Sequence, residues 1–310
     1  MKILFLVRDM KVAAKKQEDL LSHLSFVKSF IKYHDIIWWG NLFKDFNPDT
    51  SMVDLVNKHK PDVIFKYGFR TPFEKDLDKV DIPKFIYLVD YFPPKGAYKG
   101  RQQIYADFMR ESKWDFALLP VTYMSDFVKQ DGQVKETLIS PFSVDIDMFK
   151  NIKINKDVDV SAMFVSRTDV YPNRKMVLNA INQIKGLNIV TGKRAMIAYI
   201  DIINRSKIFV TSNNVFGSMS MKYTECMSCG TFLLADEPED WELFGYKPGY
   251  HFVIYKDVND LKDKIKYFLK NEKEREEIAL NGMKFVREFH NHDVRVKAFN
   301  KFVEDRYNIK

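Results

Sequence analysis

Short apolar segments alternate along the chain with longer segments in which apolar residues recur every three or four positions. The short segments are rich in β-branched and aromatic residues and predict buried strands, whereas the longer ones predict amphipathic helices. In the first half, strands are predicted at residues 3–7, 35–39, 62–67, 84–89, 115–119 and 137–139. Helices are predicted at residues 16–33, 50–60, 102–112 and 122–130. This alternation is typical of a parallel sheet covered by helices on both faces.

A segment with a proline and no helical period, S-P-F-S-V-D-I-D-M-F at residues 140–149, follows the sixth strand. It predicts a boundary between an N-terminal domain at residues 1–149 and a C-terminal domain at residues 150–310. A second series of strands is predicted at residues 158–165, 187–190, 207–211, 231–235 and 251–255. Helices are predicted at residues 174–183, 195–204, 221–227, 258–270, 274–288 and 293–307, and the last is a candidate to pack back on the N-terminal domain.

The pattern therefore predicts an α/β protein made of two Rossmann-like, doubly wound domains. A length of 310 residues agrees with two domains of ordinary size. Ligands of such sheets bind at the carboxyl ends of the strands. We accordingly expect the active site in a cleft between two domains that face each other.

Composition and charge exclude several other classes. Apolar residues make up 46% and charged residues 29%, which is ordinary for a globular protein and argues against disorder and coiled coils. The longest apolar runs are about six residues, too short to span a bilayer, and the chain shows no signal-peptide core. Two cysteines do not form a disulfide framework. We expect a cytoplasmic protein without an integral membrane segment, and the net charge of +7 permits an anionic partner.

Several motifs that would carry chemistry are missing or weak. The sequence has no P-loop, no G-x-G-x-x-G and no H-E-x-x-H. Cys226 and Cys229 are interpreted as small buried residues one helical turn apart, and His290 and His292 as part of a solvated helix face. The pair Asp145 and Asp147 occurs at the frequency that chance gives, so a linker role is preferred. The sequence therefore predicts no metal ligands.

The segment K-Y-T-E-C-M-S-C-G-T-F-L-L-A at residues 222–235 is the stronger signal. A helix that bears Glu225 ends at Gly230, a residue suited to a left-handed cap, and a buried strand follows. A carboxylate can accept hydrogen bonds from both hydroxyls of a ribose, and Lys222, one turn earlier, can bind phosphate. The alternative is an exposed Lys/Glu pair on a surface helix.

These residues resemble a known family. E-C-M-S-C-G at residues 225–230 is similar to the E-A-M-A-C-G element of nucleotide-sugar glycosyltransferases with the GT-B fold, and E-R-E-E-I-A-L-N-G at residues 274–282 resembles the CgeB-type group among them. The resemblance covers about the last 170 residues. Families with an E-x7-E pair have their first Glu at the position of Gly217, so the sugar contact of that Glu is missing here.

A second resemblance is to the DNA β-glucosyltransferases of phages. F-I-Y-L-V-D at residues 85–90 is similar to the strand that carries their catalytic aspartate, which implies that Asp90 is the base; the alternative is a loop cap. S-R-T-D-V-Y-P-N-R-K-M-V at residues 166–177 resembles their donor-binding segment. With Lys222 and Glu225, it implies donor binding by Arg167, Arg174 and Lys175, where the choice of Arg174 over Lys175 stays open.

Basic and aromatic residues are interleaved after Asp90. Residues 95–113 contain five basic and two acidic side chains, and Tyr98, Tyr105 and Phe108 lie among them. Such a segment suits a phosphate backbone with an unstacked base, so Lys95, Lys99 and Arg101 are predicted to bind the acceptor. The alternative is a solvated helix.

The sequence thus leads to the hypothesis of a metal-independent hexosyl- or pentosyltransferase. The co-substrate would be a UDP- or GDP-sugar, no cofactor would be required, and the acceptor would be a hydroxymethylated base in DNA or a glycan of the cell envelope. If the chain is encoded by a phage, its expected location is the cytoplasm of the host. The rival hypothesis is a non-catalytic GT-B-like protein that binds a sugar nucleotide or a glycan.

Overall fold

The computed structural model describes residues 1–68, 74–89, 99–132, 134–164, 171–213 and 216–309. The chain divides into two compact units. The first consists of Met1–Pro141 and Asp293–Lys310, and the second of Phe142–His292. Each unit contains one parallel sheet flanked by helices.

The first unit has a six-stranded parallel sheet in the order β2-β1-β3-β4-β5-β6. Its strands are β1 (Lys2–Leu6), β2 (Asp35–Trp39), β3 (Val63–Tyr67), β4 (Lys84–Tyr87), β5 (Phe116–Leu119) and β6 (Glu136–Ile139). Its helices are α1 (Met10–Lys16), α2 (Leu21–Ser29), α3 (Met52–His59), α4 (Lys99–Ser112), α5 (Met124–Gly132) and most of the final helix α11 (His292–Tyr307). The order of elements follows the predicted alternation of strands and helices.

Aromatic side chains fill the core of the first unit. Phe299 of α11 packs edge-on against Phe65 and Phe85, with ring centroids 5.1 and 5.0 Å apart, and also contacts Phe30. Phe85 stacks in turn on Phe116 of the neighbouring strand. All five rings are buried. The C-terminal helix is therefore part of the hydrophobic core of the unit that contains the N terminus.

The second unit has a five-stranded parallel sheet in the order β11-β10-β9-β7-β8. Its strands are β7 (Val158–Ala162), β8 (Ile189–Thr191), β9 (Ser206–Thr211), β10 (Phe232–Ala235) and β11 (Val253–Ile254). Its helices are α6 (Pro172–Asn182), α7 (Met196–Arg205), α8 (Met221–Ser228), α9 (Val258–Lys270) and α10 (Glu272–Phe289). Val160, Ile208 and Phe232 occupy neighbouring register positions at its buried centre.

The prediction of one continuous helix over residues 16–33 is wrong. The structure has α1, a 3₁₀ turn at Glu18–Leu20, α2 and a second 3₁₀ turn at Phe30–Lys32. Asp9 starts α1 by accepting hydrogen bonds from the backbone N–H groups of Lys11 and Val12. In the tighter winding at Phe30–Lys32, Ile31 is 52% exposed, whereas Phe30 before it is buried.

The interpretation of His290 and His292 as a solvated helix face is also wrong, because both residues are buried. His290 is the C-cap of α10 rather than a residue within a helix; its ring stacks on Tyr246 and its Nε2 hydrogen-bonds the carbonyl of Phe244 at 3.0 Å. His292 begins α11, and its Nδ1 hydrogen-bonds the hydroxyl of Ser143 at 2.8 Å. Each imidazole therefore occupies a packed, hydrogen-bonded position.

Two other interpretations are confirmed. Cys226 and Cys229 are buried free thiols, and burial raises the pKa of each. Gly230 follows α8 with φ of +68°, the left-handed conformation expected for a helix cap.

The described part of the chain contains no helix with the length and apolar character needed to cross a membrane.

Candidate functional site

The candidate site lies at the carboxyl edge of the sheet in the second unit. Three parallel strands end there side by side, and polar residues follow two of them directly. Ser212 and Asn213 come after β9, and Asp236 comes after β10. Arg174 lies in the first turn of α6, next to Phe164 after β7. This edge is where ligands bind in sheets of this kind.

Glu225 is a buried carboxylate on α8, only 5% exposed. Its Oε2 accepts a hydrogen bond of 2.8 Å from the hydroxyl of Tyr199, which lies one turn into α7. Burial raises the pKa of Tyr199 well above its ordinary value, and the charge of Glu225 raises it further, so the phenol stays a donor. The alternative of an exposed Lys/Glu pair is therefore wrong for Glu225.

Lys222 lies one turn before Glu225 on the same helix. Its Nζ is 4.7 Å from the centroid of the Tyr199 ring, so the tyrosine contacts the cation with its face and the carboxylate with its hydroxyl. Burial lowers the pKa of Lys222; the carboxylate of Glu225 opposes this shift, and the cations of Arg174 and Lys193 add to it. A bound anion would relieve the repulsion among these cations.

Arg174 is a buried guanidinium, held between aromatic rings. Its Cζ lies 3.3 Å from the centroid of the Tyr171 ring and 4.9 Å from that of Phe164. Burial lowers the pKa of Arg174, and the negative charge of Asp236 acts in the opposite direction. These aromatic contacts hold the guanidinium near the N-terminal end of α6, where the helix dipole also favours a negative ligand.

Asp236 links the loop after β10 to the loop after β9 through hydrogen bonds. It accepts hydrogen bonds from the backbone N–H of Asn213 at 2.7 Å and from the hydroxyl of Ser212 at 3.0 Å. Burial raises the pKa of Asp236 despite these bonds and one from the side chain of Asn173. Tyr223 of α8 donates to the side-chain oxygen of Asn213 at 2.7 Å. The loops after β9 and β10 are thus tied both to each other and to α8.

The arrangement combines the cations of Arg174 and Lys222 with the carboxylates of Glu225 and Asp236 at the end of a sheet. Cations with fixed orientation suit a diphosphate, and a carboxylate beside them suits a ribose diol.

Among the residues that the structure describes, no three His, Cys, Asp or Glu side chains come together as a metal site would require. Asp145, from the D-x-D pair, accepts hydrogen bonds from the backbone N–H groups of Asp147 and Met148.

Of the predicted donor residues, Lys222 and Glu225 both contact Tyr199, and Arg174 is close enough to repel the cation of Lys222. Lys175 is exposed on α6, whereas Arg174 next to it is buried. Arg167, Asp90 and Lys95 lie outside the described residues, and so do the side chains of Lys99 and Arg101, whose backbone belongs to α4.

Tyr199 and Asp236 are residues of this site that the sequence did not predict. Asp236 follows the predicted strand at residues 231–235 directly, and this position at a carboxyl end was the available signal. Tyr199 belongs to a buried stripe with Met196 and Ile203, which indicates burial but does not indicate contact with Glu225.

Part of this chain matches a family of known proteins, and its fold is similar to that of several solved structures. Residues 171–301 match the family model described as glycosyl transferase-like. A comparison with curated proteins found no match. The fold is similar to that of a glycosyltransferase from Rickettsia africae ESF-5, at 11% identity and a TM-score of 0.66, with 98% of each chain covered.

Two further solved structures share the fold over nearly the whole length. Anabaena Alr3699/HepE in complex with UDP has 13% identity and a TM-score of 0.66, with 98% of this chain and all of that one covered. An α-glucosyltransferase in complex with UDP-glucose and DNA containing an abasic site has 10% identity and a TM-score of 0.63, with 97% and 98% covered. The finer resemblance to the CgeB-type group stays a prediction. The chain therefore has the GT-B fold of glycosyltransferases, and its residues 171–301 match the glycosyl transferase-like family model.

Proposed function

We propose that this chain is a glycosyltransferase that moves a hexose from a UDP-sugar to a hydroxyl of an acceptor. The observation that carries the proposal is the cluster of Arg174, Lys222 and Glu225 around Tyr199, which lies within the matched segment 171–301. The UDP and UDP-glucose bound to Anabaena Alr3699/HepE in its solved complexes support a uridine nucleotide as the donor.

Each group has a role in this mechanism. Glu225, oriented by the hydroxyl of Tyr199, accepts hydrogen bonds from the ribose diol. Departure of the nucleoside diphosphate develops negative charge, which Arg174, Lys222 and the N-terminal amides of α6 stabilise. We assign Arg167 to the same diphosphate and propose that the reaction needs no metal ion. Lys175, exposed beside Arg174, is the weaker candidate for this role.

The proposed base and acceptor-binding residues are inferred from the sequence. We propose that Asp90, which follows β4 and lies outside the described residues, removes the proton of the attacking hydroxyl. Lys95, Lys99 and Arg101 would bind an anionic acceptor. The DNA in the complex of the α-glucosyltransferase supports a base in DNA as that acceptor, whereas a glycan is the competing choice.

The donor proposal is tested with a thermal-shift panel of UDP-, GDP- and TDP-sugars, followed by an assay for slow release of UDP without acceptor. We expect UDP-sugars to stabilise the chain and to be hydrolysed slowly. Stabilisation without any hydrolysis or transfer would favour the non-catalytic alternative. Stabilisation by none of the nucleotides would contradict the proposed function.

The DNA proposal is tested by measuring duplex affinity as a function of salt. Each phosphate that a protein cation neutralises contributes about 0.9 to the slope of log affinity against log salt concentration. We expect a steep decrease with salt that becomes less steep when Lys95, Lys99 and Arg101 are replaced together by alanine. Undetectable binding at about 50 mM salt, where phosphate contacts are still strong, would favour a glycan.

A further inference from the structure

The carboxylate of Glu239 occupies the space directly next to Gly217. Gly217 has φ of +67°, and a Cβ atom at this residue would lie 2.8 Å from Cγ of Glu239 and 3.0 Å from its Cδ and Oε1. Glycine accommodates both the backbone conformation and the neighbouring carboxylate. Position 217 therefore carries no side chain of its own, and the acidic group beside it comes from the loop after β10.

Backbone contacts hold Glu239 in this position. Its N–H donates to the carbonyl of Gly217 at 2.8 Å. The side-chain amide of Asn213 donates to the carbonyl of Glu237 at 2.8 Å, and the hydroxyl of Tyr223 donates to the side chain of Asn213 at 2.7 Å. The loop that carries Glu239, the loop that carries Gly217 and helix α8 thus form one hydrogen-bonded assembly. Tyr223 lies between Lys222 and Glu225 in sequence on that helix.

The side chain of Glu239 is exposed, whereas its neighbours Pro238 and Asp240 are buried. The loop is therefore anchored on both sides of a carboxylate that remains accessible to solvent. Along the same edge, Glu225 suits the ribose, and Lys222 and Arg174 suit the diphosphate. A sugar attached to that diphosphate presents several hydroxyl donors, and a carboxylate is an acceptor for two of them at once.

We propose that Glu239 binds hydroxyl groups of the transferred sugar and so contributes to the choice of donor. This inference rests on the proposed function. The carboxylate that the E-x7-E spacing would place at position 217 is supplied in this chain from a different loop.

The test compares the wild-type chain with Glu239→Gln by calorimetry, using UDP and the nucleotide sugar that stabilises the wild type most in the panel above. Glutamine keeps the size of the side chain and removes its charge. We expect the affinity for UDP to stay within about twofold and that for the nucleotide sugar to decrease roughly tenfold, as for the loss of a charged hydrogen bond. Glu237→Gln, an exposed residue of the same loop, is the matched control and should change neither affinity.

The possible outcomes separate the two proposals. If wild type and Glu239→Gln bind the nucleotide sugar equally well, the inference is overturned while the proposed function stands. An equal loss of affinity for UDP and for the nucleotide sugar would also overturn it, because Glu239 would then act on the loops rather than on the sugar. If the wild type binds neither UDP nor any nucleotide sugar, the proposed function fails and the inference fails with it.

Discussion

At the residue scale, the hydroxyl of Tyr199 gives Glu225 one fixed partner inside the site. Glu225→Gln keeps an acceptor for that hydroxyl and loses the charge that would strengthen hydrogen bonds from the ribose. Because charged hydrogen bonds contribute about 1.5–3 kcal/mol, we expect the affinity for UDP to decrease roughly 10- to 100-fold. Calorimetry with UDP and with its 2′-deoxy analogue measures this. If the wild type and the variant show the same ratio of the two affinities, Glu225 does not bind the ribose hydroxyl.

The adjacent residues Arg174 and Lys175 give a second prediction. Arg174 is buried beside the other charged groups of the site, whereas Lys175 is exposed. Removal of one preorganised group that stabilises developing charge lowers kcat by about 10²–10³, so this is the effect expected for Arg174→Ala. Lys175→Ala should cost much less. Turnover by Arg174→Ala within about threefold of wild type would remove this residue from the diphosphate site. Arg174→Met, which removes the charge and keeps an unbranched side chain of similar length, controls for lost packing.

The buried amine of Lys222 predicts a pH dependence. Burial lowers the pKa of Lys222 below its ordinary value of 10.5. A bound diphosphate favours the charged amine and raises that pKa, so binding takes up protons in the window between the two values. The affinity for UDP should therefore fall as the pH rises through a window that begins below 10.5. Lys222→Arg stays charged over this range and should lose that part of the pH dependence. An identical pH profile in both proteins would contradict the assignment.

At the scale of elements, α11 belongs to the core of the first unit through Phe299, which contacts Phe30, Phe65 and Phe85. Removing a buried phenylalanine ring costs about 3–5 kcal/mol, so Phe299→Ala should lower the free energy of unfolding by that amount. Urea titration followed by tryptophan fluorescence reports mainly on this unit, because three of the four tryptophans, Trp38, Trp39 and Trp114, lie in it.

Ile31, in the second 3₁₀ turn, provides a control within the same unit as Phe299. This residue is 52% exposed, and Ile31→Ala should change the free energy of unfolding by less than about 1 kcal/mol. Equal effects of the two substitutions would mean that Phe299 does not stabilise the first unit as its packing indicates.

The elements themselves were largely predictable, because strands and helices of a layered α/β fold differ in the period of their apolar residues. Helix α9 (Val258–Lys270) begins and ends at the predicted residues, and it has a strongly amphipathic pattern and a capping Asp257. The helix predicted at residues 16–33 was less predictable. Its apolar spacing persists through two 3₁₀ turns that change the direction of side chains, and such turns leave little trace in the sequence.

At the scale of the whole molecule, the sequence could identify candidate residues but not their grouping. Glu225 and Lys222 can be recognised in the sequence because Gly230 and a buried strand follow them closely. The sequence could not decide between Arg174 and Lys175, since consecutive helix residues point about 100° apart and α6 begins two residues earlier than predicted. The hydrogen bond between Tyr199 and Glu225 joins two helices across 26 positions, a contact that no local period encodes.

A crystal structure of the chain with UDP would show whether the nucleotide binds at Glu225, Lys222 and Arg174. We expect the ribose hydroxyls to lie within hydrogen-bonding distance, about 2.6–3.2 Å, of the Glu225 carboxylate and the diphosphate to contact Lys222 and Arg174. UDP bound at another edge of the sheet, or a ribose that does not contact Glu225, would contradict the proposed donor site.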